Sequence, residues 1–484
     1  MCAQRKARSP SLNLLFSLTL SGIAFGLLLL AAACGGGSSV SGSTEPPPSP
    51  PPVAVQFRIG DAPSDRLVSV EANINAIHLT DSNGNHINVL PATRRLEFTH
   101  LAGTSEPMAL LNFPQGTYTS ATIDGSSAHV SYLDVSGTLH EFQFNASDQM
   151  VVPISPPLTI GAQTTVVSVD FDVASFVTID PVNNTNPILN NPVLTFTTAP
   201  VETSGQKPEE GALEHVVGVV SGVSGTSFTV APGQNRVSLT FKTDNKTQFD
   251  NVTLNTLTNM IVKVNGATQA DGSLLALEVE GIENVNGVET EGLIYWDYQG
   301  SMNEWLIPQD GNGAGLNNVP EQAFGQLVHL DLTNASFDVD LDNMDMTGLT
   351  GSHFVFDWTH VGAGQRVQVQ STTGILTPDH DGTDGLIAAN RITLEKQSLS
   401  GTVNAYSPLP NGAAWFYLML PSESHFTLLN PAVASVRVSQ QAGTDLHGIT
   451  SIKDGDVVRV RGLLFRDDKL ANGTFNMVAQ RISK

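Results

Sequence analysis

Val53-Ala54-Val55-Gln56-Phe57-Arg58-Ile59 alternates apolar with small or polar residues, the two-residue period of a half-buried strand. The run ends at Gly60-Asp61-Ala62-Pro63. Val68, Val70, Ala72, Ile74 and Ala76 then resume the same period, and Asn83-Gly84 supplies a tight hairpin turn. Further strands are readable at Ala121–Ile123, Leu139–Phe144 and Thr165–Val173, with no 3.6-residue pattern between them. Short strands broken regularly by turn residues predict a β-sandwich over 53–201.

Composition agrees with an all-β chain. Of 484 residues only 14% are charged and 40% are hydrophobic, with 43 Gly and 27 Pro. That balance fits neither disorder nor coiled coil. The formal charge of −23, from 23 Lys+Arg against 46 Asp+Glu, argues against nucleic acid, since no basic patch is available to neutralise phosphates. Cys2 and Cys34 are the two cysteines. Disulfides, thiolate catalysis and Cys-ligated zinc are therefore excluded after Cys34.

The first 33 residues read as an address. Arg5, Lys6 and Arg8 precede an apolar run from Leu14 to Leu30, followed by Ala31-Ala32-Ala33-Cys34 and an immediate switch to Gly and Ser. This resembles the bacterial lipoprotein signal, in which the cysteine is acylated after cleavage. Ala31 stands where that signal prefers Leu. The competing reading is an uncleaved transmembrane anchor, because the run is nearly long enough to span. Residues 34–52 form a Gly/Ser/Pro tether whose Pro-rich part is a stiff spacer. Gly35 after the cysteine resembles the outer-membrane class, so the expected location is the bacterial cell envelope, with the membrane contacted through a lipid.

Asp61-Ala62-Pro63, Leu110-Leu111 with Pro114-Gln115-Gly116-Thr117-Tyr118, Val169-Asp170-Phe171-Asp172 and Asn191-Pro192-Val193-Leu194 occur in order along the first folded region. Together they resemble the domain-of-unknown-function family numbered 4382. Val152-Pro153-Ile154-Ser155-Pro156-Pro157 stands where that family carries a Pro-Ser-Gly and Thr-Gly stretch.

After a polar linker at 202–214 a pattern recurs. Its first copy, 215–283, runs from Val217-Gly218-Val219-Val220 through Met260-Ile261-Val262-Lys263-Val264 and Asp271-Gly272 to Leu277-Glu278-Val279. The third, 398–484, runs from Ser400-Gly401-Thr402-Val403 through Gly455-Asp456-Val457-Val458-Arg459-Val460-Arg461-Gly462 to a last strand at 477–482. A looser middle copy, 290–396, opens at Gly292-Leu293-Ile294 and has an insertion around 296–326. These units resemble the domain-of-unknown-function family numbered 5666. About five strands per copy predict two or three small OB-like barrels, which leave no exposed sheet edge.

Chemistry is sparse in the sequence. No HExxH, G-x-S-x-G elbow, dinucleotide fingerprint or P-loop occurs. Asp61 is placed to bind a cation or ligand hydroxyl, or to fix its own turn by accepting backbone N–H bonds, the commoner role. Asp170 and Asp172 flank Phe171 and should share the opposite, solvated face. Asp379, Asp381 and Asp384 surround glycine turns as calcium ligands do, but an EF-hand loop counted from Asp379 would need Glu where Asn390 stands. An ordinary turn is the simpler reading. Asp338, Asp340 and Asp342 should form the wet face of one strand. Tyr295, Trp296, Tyr298 and Trp305 could stack on sugars, although burial is commoner for Trp. The expected function is a non-catalytic envelope lipoprotein whose β-modules bind extracellular glycan or an envelope protein, with no cofactor. The alternatives are an envelope hydrolase using Asp61 or Asp170/Asp172, and a spacer without a ligand.

Overall fold

The computed structural model describes residues 50–484, apart from 62–65, 91–92, 102–104, 145–148, 163–164, 180–186, 191, 201–212, 232–237, 270–272, 283–287, 298–301, 312–324, 342–343, 345, 350–351, 373–374, 377–384 and 468–473. Strands dominate, as the alternation predicts.

The N-terminal module is a sandwich. Its strands are β1 (Val53–Asp61), β2 (Leu67–Asp81), β3 (His86–Asn88), β4 (Arg94–Glu97), β5 (Ser105–Phe113), β6 (Gly116–Leu133), β7 (Leu139–Phe144), β8 (Gln149–Ile160) and β9 (Thr165–Phe171). A short helix α1 (Val173–Phe176), the small pair β10 (Val177–Thr178) and β11 (Ile188–Leu189), and β12 (Leu194–Pro200) complete it. One sheet has the order β12-β9-β1-β5, with β1 parallel to β9. The other runs β3-β2-β6-β7, with β4 on β2 and β8 on β6. Both contribute to one core that includes Phe57, Phe98, Phe113, Tyr118 and Phe171.

Two details depart from simple alternation. In β1 the apolar residues Val55, Phe57 and Ile59 are buried, yet Gln56 and Arg58 are too, because β1 is an interior strand covered on both faces. In β2 the register against β6 shifts on both sides of Ile74, so Ile77 and Leu79 face the core instead of continuing the row toward Ala76. A bulge adds one residue and inverts every later side chain.

Three modules follow: the first and third are closed five-stranded barrels, and the second, called the second barrel below, is an eight-stranded sheet. The first uses β13 (Leu213–Ser224), β14 (Ser227–Ala231), β15 (Leu239–Lys242), β17 (Ile261–Thr268) and β18 (Leu274–Ile282), with a short accessory strand β16 (Gln248–Asp250) outside β18. Parallel pairing of β15 with β18 closes it. The second uses β19 (Val288–Asp297), β20 (Asn303–Gly311), β21 (Val328–Asp331) and β23 (Arg366–Ser371). Its accessory strand β22 (Ser336–Val339) again lies beside the last strand. That last strand is split: β25 (Gly385–Ala388), joined at its edge by β24 (Ile375–Leu376), runs parallel to β21, while β26 (Arg391–Leu394) runs antiparallel to β23. Part of the 296–326 stretch is thus the barrel's own second strand. The third barrel, β27 (Lys396–Pro408), β28 (Ala414–Met419), β29 (Ser435–His447), β30 (Val457–Arg466) and β31 (Phe475–Ser483), is closed in the order β27-β28-β29-β31-β30 and carries helix α2 (His425–Leu429) between its second and third strands. All three have one strand order, that of an OB-like barrel.

The recurring Gly of the repeat has a physical cause. A Cβ on Gly218, Gly292 or Gly401 would lie 2.7, 2.4 and 2.4 Å from the carbonyl oxygens of Ala231, Ile307 and Met419. In each barrel the first strand crosses the second so closely at this point that no side chain fits.

Candidate functional site

The joints between modules differ in chemistry. The second and third barrels share apolar packing: Leu463, Phe465 and Val478 of the third belong to the core of the second. The sandwich meets the second barrel through Val68, Leu133, Leu293 and Ile307, reinforced by Gln309 Nε2 donating to Val68 O at 2.6 Å and Tyr295 Oη donating to Gly137 O at 3.0 Å. Arg366 ties the same joint, donating to His100 O at 2.9 Å and to Glu291 Oε2 at 2.9 Å. The first and second barrels instead meet through ionisable faces.

Alternation builds those faces. In β17, Val262 and Val264 point into the first barrel, so Lys263 and Asn265 point out. Their cross-strand partners on β18 are Glu280 and Glu278, and β16 sets Asp250 opposite Glu280. In the second barrel Ile392 and Leu394 point inward, leaving Arg391 and Thr393 outward on β26, with Gln368 of β23 and Asp338 of β22 beside Thr393. Between the two faces lies a cleft of about 240 Å³ lined by these residues together with Val339, Asp340 and Leu341.

Bonds across and along the cleft are partly made. Arg391 donates to Asp338 at 2.7 Å and reaches across to Glu280 at 3.5 Å. Lys396 donates to Asp340 at 3.2 Å and Asn265 to Glu278 at 3.2 Å. The Lys263 ammonium is held differently. Its carboxylate neighbours, Glu280 Oε2 and Glu395 Oε1, both stand at 3.9 Å, beyond hydrogen-bond range. Thr393 is 5% exposed and its hydroxyl has no hydrogen-bond partner.

Burial and charge set the protonation states. Burial alone would push the Lys263 ammonium down, but Glu395, Asp340, Glu280 and Glu291 together hold it well above its usual range. Burial pushes Glu289 up to about 8 against the opposing pull of Lys263, and pushes Glu395 well above the carboxylate range. Gln368 donates to Glu289 Oε1 at 2.8 Å, while neither Glu395 oxygen has a hydrogen-bond partner. The joint therefore holds a charged lysine against carboxyl groups two of which resist ionisation.

The residues singled out in the sequence fall elsewhere or in part here. Asp61 is the last residue of β1; its side chain, Ala62-Pro63 and Cys34 lie outside the described residues. Asp172 caps α1, accepting from Ser175 N at 3.1 Å. Asp170 pairs with Gly60 in the β1–β9 register, and its carboxyl is raised by burial, with Arg459 opposing and Asp172 assisting. That face is half-buried, not solvated. Asp379, Asp381, Asp384 and Asp342 lie outside the described residues, as do Tyr298 and the side chain of Trp296. Tyr295 is spent on the sandwich joint, and Trp305 stacks on His329 at 5.2 Å. Asp338 is exposed, as expected of a wet face, at the rim of the cleft, whereas Asp340 is largely covered there and bound by Lys396. Among the described residues, no group of three or more His, Cys, Asp or Glu side chains converges as a metal cage.

Sequence reasoning missed Lys263, Glu280, Gln368, Arg391 and Thr393. Their polar-out positions were readable, but not what would cover them. It also missed a surface on the third barrel, where Trp415 and Tyr417 of β28 make an edge contact at 5.8 Å and Arg437 lies 5.2 Å from the Trp415 ring.

Comparison with known proteins adds the following. Residues 217–280, nearly all of the first barrel, match the family described as "Domain of unknown function (DUF5666)". No curated protein matches the chain. Among solved structures, a deletion mutant of the single-stranded DNA binding protein from Thermus aquaticus is similar at 16% identity, over 41% of this chain and 92% of that one, with a TM-score of 0.15. A likeness at that level carries no argument about ligands.

Proposed function

We propose that this protein is a lipid-anchored, non-catalytic component of the bacterial cell envelope that binds an extracellular glycan or envelope protein through its β-modules. The signal-like residues before Cys34 and the Pro-rich tether support the anchor. The observation that carries binding is the cleft between the first two barrels, where the Lys263 ammonium stands 3.9 Å from the Glu280 and Glu395 carboxyls and the buried Thr393 hydroxyl has no hydrogen-bond partner. Stability alone does not account for such a joint. Buried ion pairs seldom outperform apolar packing, and apolar clusters carry the neighbouring joints, with Arg366 and Gln309 adding polar bonds at one of them. The hydrolase reading is weaker, because Asp172 is committed to capping a helix.

The test is hydrogen–deuterium exchange on the full-length protein in detergent, with and without polysaccharide and protein fractions of the envelope. Protection of β16, β22 and β26 by either fraction supports binding. Unchanged exchange in those strands with both fractions contradicts it and favours a spacer.

A further inference from the structure

We infer that the cleft between the first and second barrels is a site for one uncharged, polyhydroxylated ring, a neutral sugar unit, seated on Lys263 and Thr393. This rests on the binding reading above and narrows it to a ligand class.

The argument begins with the gap at Lys263. Its ammonium and the Glu280 carboxylate are cross-strand neighbours, yet they stop at 3.9 Å. An oxygen about 2.8 Å from each would bridge them, accepting from the lysine and donating to the carboxylate. A hydroxyl does both at once; a carboxylate, a phosphate or an ammonium does only one. Thr393, a lining residue of the same cleft and 5% exposed, carries a second, buried hydroxyl with no partner. Two such points in one cleft suit adjacent hydroxyls on a ring.

Charge argues against an anion and a divalent cation. An anion would face Asp250, Glu278, Glu280, Asp338 and Asp340 in the walls. A divalent cation would meet the Lys263 ammonium without a converging set of three ligands among the described residues. An apolar guest would find Val339 and Leu341 as its aliphatic wall. The volume, about 240 Å³, lies just under the roughly 300 Å³ at which clefts for drug-sized ligands begin, so the guest is about one ring.

The experiment is a thermal-shift and calorimetric titration of the full-length protein in detergent with galactose, glucose, mannose and N-acetylglucosamine, alongside glucuronate, putrescine and calcium. At least one neutral sugar should raise the unfolding midpoint by mass action. Thr393→Val, which keeps the shape but removes the unpartnered hydroxyl, should weaken that binding about tenfold without lowering the unliganded midpoint. A shift with glucuronate, putrescine or calcium alone overturns the inference. So does a sugar-induced shift that survives unchanged in both Thr393→Val and Lys263→Met. If no sugar acts while an envelope fraction still protects the cleft strands from exchange, the ligand class fails and the broader binding reading stands.

Discussion

Lys263 and Glu395 face each other across the boundary between two barrels, with Nζ and Oε1 3.9 Å apart and both side chains almost wholly buried. The lysine belongs to a fourth strand whose inward neighbours build one core. The glutamate follows a fifth strand whose inward neighbours build another. A charge placed outward by alternation in one module is thus buried by the next.

Removing that cation should be costly. Lys263→Met removes the ammonium that faces Glu280 and Glu395 in the buried joint, while Arg391 and Arg366 still pair with Glu280 and Glu291, and is expected to destabilise the protein by about 3 kcal/mol in urea unfolding. Adding Glu395→Gln to it should recover part of the loss, measured as a coupling in the double-mutant cycle. Strict additivity would mean the two groups do not interact.

The raised carboxyls give a pH dependence with a definite sign. Glu289 titrates at about 8 in the fold against about 4.3 in an open chain, so the folded state holds more protons between those values. Its contribution is complete below the unfolded pKa and is lost as pH rises through about 8. Glu289→Gln, neutral at every pH, should flatten the fall of the unfolding midpoint across that window. An unchanged slope would contradict the assignment.

The opposite sign belongs to Glu97. Burial would raise it, but hydrogen bonds from the His100 ring and Thr99 outweigh burial and hold it below the usual range. Its contribution is present above the unfolded pKa and fades as pH falls through the folded one. Glu97→Gln should cost about 1–3 kcal/mol near neutrality and blunt acid unfolding. Because Gln309 donates to both Val68 O and Thr99 Oγ1 beside this carboxylate, hydrogen exchange should quicken at the sandwich–barrel joint as well.

The repeat's glycine is a packing requirement. Gly401→Ala sets a Cβ 2.4 Å from Met419 O and should cost about 2 kcal/mol or more, whereas Gly443→Ala, with nothing within 4 Å, should be near neutral.

Much of this fold was legible in residue order. Val55, Phe57 and Ile59 identify the first strand and its core face, and Gly401-Thr402-Val403 with Gly455 to Gly462 outlines a barrel. Alternation says which side chains turn inward; it is silent on what covers the others. Asp338 and Asp340 both read as a wet face; Asp338 is exposed, but Asp340 is bound by Lys396 inside the cleft. The strand at 303–311 was lost in an apparent insertion because Pro308 and the bulges opposite it blur its period.

The most direct test of the ligand cleft is a crystal structure of the protein grown with a saturating neutral sugar. The account predicts one sugar ring between the first two barrels, with a hydroxyl bridging Lys263 and Glu280 and another on Thr393 Oγ1. A cleft holding only water at saturation, or a sugar found instead on Trp415 and Tyr417 of the third barrel, would contradict it.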